Sequence, residues 1–178
     1  MLFRSDPGYP GVREPRLKGE AYDAFVAEFV EAVAALCPGS LLQWEDFGAS
    51  NARRVLDAHR HRLASFNDDI QGTSGVACAA ILAGLQGLGA TLGQGPIVIF
   101  GAGTAGCGIA ERLERLLIRQ GLSPDEARSR LWLLDRRGLV YAGRPGVRDL
   151  ALPWAADALR MEALAQAGAQ PDAEGRVG

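Results

Sequence analysis

Apolar residues recur at helical spacing from Glu20 onward. In EAYDAFVAEFVEAVAAL, Tyr22, Phe25, Val26, Phe29, Val30, Val33 and Leu36 share one face, which predicts an amphipathic helix stopped by Pro38-Gly39. SLLQW then predicts a short buried strand with Glu45 and Asp46 at its C-terminal end. NARRVLDAHRHRL predicts a helix with its basic residues on the wet side. GTSGVACAAILAGLQGLGATLG reads as a long helix of small and apolar residues, suited to close packing. The β-formers of PIVIF lead into GAGTAGCGIAERLERLLIRQG, a glycine-rich turn opening a helix that ends at Gly121. SPDEARSRL carries a capping box, with Ser123 as N-cap, Pro124 at the first helical position and Glu126 reaching back. LWLLD predicts a second buried strand ending at Asp135. Past Gly138 the pattern weakens, and one further helix is expected from Ala155 to Ala167. Residues 1 to 19 and the tail GAQPDAEGRVG read as loop, and no internal repeat is present.

A length of 178 residues suits one domain with a real core, or somewhat more. A hydrophobic fraction of 48% and a charged fraction of 22% are ordinary for a globular chain. The net charge of -2 and the lack of any basic run argue against a nucleic-acid partner. The longest apolar stretch, Val76 to Leu92, is broken by Gly84, Gln86, Gly87 and Gly89 and is too short to span a membrane. The N-terminus shows no charged lead followed by an apolar run, so no signal peptide is expected. Cys37, Cys78 and Cys107 are odd in number and widely spaced, which reads as reduced thiols in a cytoplasmic setting. Of the 19 basic residues only Lys18 is a lysine, so any mechanism needing a lysine base has one candidate.

Chemistry concentrates in two places. From Pro96 to Asp135 the order is strand, turn, helix, short helix, strand, with Gly101-x-Gly103-x-x-Gly106 in the turn. Glycine at these positions permits a tight turn, backbone approach to a pyrophosphate, and close packing of helix on strand. The first-turn N–H groups of the helix would hold the phosphates. Asp135 would accept hydrogen bonds from an adenosine ribose, although it lies further along than the usual ~20 residues, an excess the capped helix explains. An acid there favours NAD; the adjacent Arg136 and Arg137 leave NADP open, and both arginines read equally as solvated residues.

The second place is the acids, which come as adjacent pairs, Glu45-Asp46 and Asp68-Asp69, each at the end of an apolar stretch. A hard divalent cation such as Mg2+ or Mn2+ would relieve their repulsion. From spacing alone such pairs are more often helix caps or surface pairs, and Asp69 stands before a helix start where its charge meets the dipole. His59 and His61, two apart on an arginine-rich helix, face different ways and read as surface residues. Cys78, Cys107 and the three tryptophans read as packing residues.

Three blocks together closely resemble malic enzyme in sequence, order and spacing. They are LLQWEDFGASNARRVLDAHRHRLASFNDDIQGTSGVACAAILAGL, IVIFGAGTAGCGIA and GLSPDEARSRLWLLDRRGLV. The resemblance runs from about Asp6 to about Val140, and EDF followed by FNDDIQGT is far more specific than the glycine motif. It implies that Glu45, Asp46 and Asp69 hold the divalent metal, Mg2+ or Mn2+, and that Asp68 orients and tunes a catalytic lysine. It implies a pyrophosphate turn at Gly101, Gly103, Thr104, Ala105 and Gly106, an adenosine side at Asp135 and Arg136, and Thr73 beside the metal site. The implied reaction is oxidative decarboxylation of L-malate to pyruvate and CO2 with reduction of NAD, as in bacterial NAD-dependent members, with NADP possible.

The implied fold is α/β, a partial Rossmann-type doubly wound parallel sheet preceded by a helical/strand segment carrying the metal site. Residues 1–65 would end the N-terminal metal-site region and residues 66–178 begin the cofactor domain. The family's lysine base, tyrosine acid and substrate-binding arginine have no match here. Lys18, Tyr9, Tyr22 and Tyr141 fall outside those motifs, and Ala49 stands where many relatives carry asparagine. The expectation is a fragment, inactive alone, of a cytoplasmic homo-oligomer. A non-catalytic dinucleotide- or metal-binding module is the alternative, and a metal-independent hydroxy- or amino-acid dehydrogenase a third reading.

Overall fold

The computed structural model describes residues 5–168. The tail expected as loop lies, beyond Gly168, outside the described residues. The elements run α1 (Gly19–Leu36), β1 (Leu42–Trp44), α2 (Ala49–His59), β2 (Ser65–Asn67), a single π-helical turn (Asp68–Gly72) and α3 (Thr73–Gly87). They continue with β3 (Ile97–Phe100), α4 (Thr104–Arg119), α5 (Pro124–Ser129), β4 (Leu131–Asp135), β5 (Gly138–Leu139), a 3-10 segment (Asp149–Trp154) and α6 (Ala158–Gln166). β1 and β2 form a parallel pair, with Trp44 opposite Asn67. β3 and β4 are parallel, Phe100 opposite Leu134, and β5 folds back antiparallel on β4. This is the expected α/β arrangement with parallel strands crossing over through helices.

Two apolar clusters carry most of the packing. The first joins Val26 and Val30 of α1 to Trp44, Val55 and Leu56. The second is built on α4, where Leu113 and Leu117 have no exposed surface and pack with Ala127, Leu131, Leu133 and Trp154. Such side chains each contribute on the order of 2 kcal/mol by leaving water. The one carboxylate that enters this region, Glu114, is satisfied on both oxygens. Trp154 Nε1 donates to Oε2 and Arg128 Nε to Oε1, both at 2.9 Å, tying α4 to α5 and the 3-10 segment.

Several boundaries differ from the sequence reading, each for a local reason. The helix expected to run through Gly93 ends at Gly87. Gly89 takes a φ of 63°, Ala90 N donates to Leu85 O at 2.9 Å and Gly89 N to Gln86 O at 3.2 Å, the paired bonds of a left-handed helix stop. The last helix begins at Ala158, not Ala155, because the Asp157 carboxylate caps it by accepting from Arg160 N at 2.8 Å. Of the seven residues on the apolar face of α1, only Val26 and Val30 are buried; Phe25 is 59% and Leu36 81% exposed. The capping box at Ser123–Glu126 forms as read.

One contact positions the site. The N-terminal part of α4 lies so close to the π-helical turn that a Cβ on Gly108 would sit 2.5 Å from the Ile70 carbonyl oxygen. Gly108→Ala is therefore expected to lower unfolding free energy by about 2 kcal/mol, by overpacking. Gly84→Ala, where a Cβ meets nothing within 4 Å in mid-helix, is expected to raise it by about 0.5–1 kcal/mol. Urea denaturation of both variants reads the contrast.

Candidate active site

The acids begin as ends of strands. β1 delivers Glu45 and Asp46, and β2 delivers Asp68 and Asp69, so the parallel pairing sets the two acidic pairs side by side. Asp46 adopts φ 58°, a left-handed conformation that an Asp tolerates better than most residues. Its N–H donates to Asp69 Oδ2 at 3.1 Å. Gln43 Nε2 donates to Glu45 Oε2 at 2.8 Å and to Asp68 Oδ2 at 3.2 Å, bridging the two pairs one residue deeper. Asn67, fully buried, anchors the turn: its Oδ1 accepts from Ile70 N at 2.9 Å and its own N–H donates to Gln71 Oε1 at 3.0 Å.

One carboxylate oxygen from each of Glu45, Asp46 and Asp69 lies within 4.8 Å of the others. Octahedral Mg2+ or Mn2+, with ligands at about 2.1 Å, holds oxygens roughly 3–4 Å apart. The donor set is hard and anionic, and the spread needs only small side-chain rotations to meet that geometry. The three residues therefore fit such an ion. Asp68, the fourth acid, turns instead toward Gln43.

The glycine turn approaches from the other side. Asp46, Phe47, Gly48, Asp69, Thr104 and Ala105 line one cleft of about 380 Å3, so the acids face the first turn of α4. Gly101 N and Ala102 N both donate to Leu134 O, at 2.8 and 3.0 Å, and a Cβ on Gly106 would lie 1.7 Å from Gly101 O. The turn is thus held against β4 with backbone exposed on its outer side. A second cleft of about 460 Å3 continues along Gly101, Ala102 and Gly103 to Asp135, Arg136, Arg137 and Arg148. Thr73, at the first turn of α3, is exposed and lines neither cleft.

Asp135 is less free than its position at a strand end suggests. Arg144, 5% exposed, donates to both of its oxygens and to the carbonyls of Gly138 and Leu139, and Arg137 N donates to Oδ1 at 2.8 Å. Desolvation pushes the Asp135 carboxyl up, but the hydrogen bonds and charges of Arg144 and Arg137 outweigh it and hold the group below its ordinary 3.8. Arg148 donates to Ala102 O at 2.8 Å, fixing the floor of the same cleft. Arg136 projects exposed at its rim.

Residues outside the expected acids and glycines complete this site. Gly108 was visible as the last glycine of GAGTAGCG, and Asn67 as the polar residue before the acids. Arg144 and Arg148 lie where the sequence pattern weakens, and nothing local marked them. His59, expected on the surface, is partly buried, its ring 6.3 Å from that of Trp44. Burial pushes the Cys107 thiol up to about 11 against the pull of Arg148 and Arg53, and desolvation raises Cys78 too, which suits packing and not nucleophilic chemistry.

The comparisons with known proteins bear on this arrangement. A family model described as "Malic enzyme, NAD binding domain" matches residues 70–172, and one described as "Malic enzyme, N-terminal domain" matches residues 2–60. NAD-dependent malic enzyme 3 of Bacillus subtilis is 44% identical over 154 residues, covering 86% of this chain and 27% of its own length. The NAD-dependent malic enzyme of Edwardsiella ictaluri is 43% identical over 171 residues, covering 96% and 29%. The chain thus spans somewhat over a quarter of the length of these curated relatives. Among solved structures, the Entamoeba histolytica malic enzyme superposes with a TM-score of 0.59 at 22% identity, over 76% of this chain and 27% of that one. The NAD-dependent malic enzyme from Thermotoga maritima superposes at 0.56 and 24%, over 76% and 35%, and both likenesses speak to the fold.

Because the Asp135 pKa is depressed in the folded chain, its stabilisation is fully present above about pH 4 and is lost as pH falls through the lower folded value. Asp135→Asn is expected to cost roughly 1–3 kcal/mol at pH 7, through lost charged hydrogen bonds to Arg144. The gap from wild type should narrow below about pH 4. Urea midpoints at pH 7 and pH 3 test this.

Proposed function

The chain belongs to the malic enzyme family, and from that premise we propose that it supplies the divalent-metal site and the dinucleotide turn of an NAD-dependent oxidative decarboxylation of L-malate to pyruvate and CO2. The observation that carries this reading is the shared cleft between Asp46, Asp69 and the first turn of α4. A hard cation at those acids and a phosphate at that helix start would then face each other, as a metal-assisted hydride transfer requires.

In this reading Glu45, Asp46 and Asp69 hold the ion, and Gln43 keeps Glu45 and Asp68 apart and oriented. Mg2+ or Mn2+ bound there would supply Lewis acidity toward the C2 oxygen of malate and offset the negative charge left by loss of CO2. Gly103, Thr104, Ala105 and Gly106 would cradle the pyrophosphate by backbone N–H groups at the start of α4, while Gly101, its own N–H given to Leu134 O, shapes the turn. Asp135, prealigned by Arg144, accepts from the adenosine ribose, which favours NAD over NADP; Arg136 lines that end of the cleft. Bound NAD would supply the acceptor for the C2 hydride, while a base would take the hydroxyl proton and an acid would protonate C3 after loss of CO2. Asp68 is assigned to orienting that base.

We read residues 1–65 as the end of the metal-site region and 66–178 as the start of the cofactor domain; the two separate apolar clusters support the division. The complete enzyme is read as a cytoplasmic homo-oligomer. Its further burial is suggested by exposed Phe25, Phe29 and Leu36 on α1 and Val98 and Phe100 on β3. No described helix is long and apolar enough to cross a membrane.

Calorimetric titration with Mn2+ is expected to show one saturable site that Asp69→Asn weakens at least about ten-fold; unchanged affinity in that variant would overturn the metal assignment. Incubation of the 178-residue chain with malate, Mn2+ and NAD is expected to give no rise in reduced cofactor at the nicotinamide absorbance. Sustained turnover would show that base and acid come from this chain. Binding of Mn2+ and NAD without turnover, in a polypeptide extended to the length of its relatives, would instead favour a non-catalytic module.

A further inference from the structure

Behind the π-helical turn lies a groove that the malate reaction does not use. It has a volume of about 360 Å3 and runs between α3 and α4, with the end of α2 at its rim. Arg53 and Arg60 reach it from α2 and its C-terminal cap, and Arg112, Arg115 and Arg119 from α4. The three on α4 follow one another at helical spacing and so share a face. A single carboxylate, Glu111, answers this charge within the groove, accepting from both Arg53 and Arg115. Arg60 pairs outside it with Asp57. Among the described residues Arg112 meets no acid; its Nε donates to Ser74 Oγ at 3.2 Å, and Arg119 has no ion-pair partner. The floor is apolar, formed by Ile70, Leu82 and Leu116.

A chain of net charge -2 has thus gathered five guanidiniums from two helices around one carboxylate. Arginine presents a planar fork of donors that matches phosphate oxygens. The volume suits a small ligand, and the floor would take an apolar body attached to the phosphate. We propose that the groove between α3 and α4, rimmed by the end of α2, binds a phosphorylated small molecule. The phosphate meets Arg112 and Arg119, the guanidiniums without acid partners, and the organic part lies on Ile70 and Leu116. The site is separate from the acid cleft and the dinucleotide cleft, and shares none of the residues assigned to metal or cofactor. Its occupant would lie against Ile70 and Gln71, on the reverse of the turn that carries Asp69.

The test is calorimetry of the full chain, free of metal, with phenyl phosphate, inorganic phosphate and sulfate as probes. Phenyl phosphate is expected to saturate one site, at least about five-fold more tightly than inorganic phosphate, since the apolar floor favours the ring. Arg112→Gln and Arg119→Gln should each weaken it at least about five-fold. Arg136→Gln, the same loss of charge at the dinucleotide cleft, should leave it within about two-fold. Arg119 is exposed on α4, so its variant reports on the groove even where Arg112→Gln fails to fold. Equal affinity for all three probes means diffuse counterion attraction and overturns the proposal. So does weakening by Arg136→Gln as large as that by the groove variants, which places the phosphate at the glycine turn. Absence of saturable binding overturns it outright.

Discussion

The arrangement depends on one close approach, α4 against the carbonyl of Ile70, which only a glycine at position 108 permits. Through it the turn carrying Asp68 and Asp69 is locked to the helix whose first turn faces the acids. A side chain at 108 would push α4 away from Ile70 and widen the cleft that the acids share with the glycine turn. The packing around Leu113 and Leu117 holds α4 in that position, since a helix without exposed surface on one face cannot slide without opening a void. Stability in the second apolar cluster and geometry at the candidate site are therefore one property.

Electrostatics shows the same economy. Four acids converge at the ends of two parallel strands, a placement that costs free energy in a bare chain. Part of that cost is met by donors the backbone and Gln43 provide: the Asp46 N–H to Asp69, and one amide shared between Glu45 and Asp68. A doubly charged ion would offset the remainder. At the far end of the clefts Arg144 fixes both oxygens of Asp135, so its carboxylate is oriented by the hairpin itself. The acids are thus preset by hydrogen bonds in both clefts.

On the opposite side of the π-helical turn the balance of charge reverses. Five arginines and one glutamate line the groove behind Ile70 and Gln71. The turn therefore stands between two clefts of opposite character, Asp69 lining the acidic one and Ile70 and Gln71 the one rimmed by the arginines of α2 and α4.

Much of this was legible in the residues. Capping at Ser123, the strand–turn–helix around Gly101, the parallel strands at both sites and the convergence of Glu45, Asp46 and Asp69 all follow from local patterns or from the family-like blocks that contain them. Such features are read from sequence because they rest on backbone propensity and on contacts near in the chain. Others were decided by tertiary structure. Gly108 looked like one more small residue of a helix until Ile70, far back in the chain, arrived against it. Arg144 gave no periodic signal because its meaning lies in four acceptors on a hairpin too short to show an alternation. The α1 stripe predicted a buried face, yet only Val26 and Val30 are buried, with Tyr22 and Phe29 in partial contact, since an apolar stripe states what a helix can bury and not what is there to cover it. Local rules determine elements and their chemistry; which elements meet is decided by packing among segments distant in sequence.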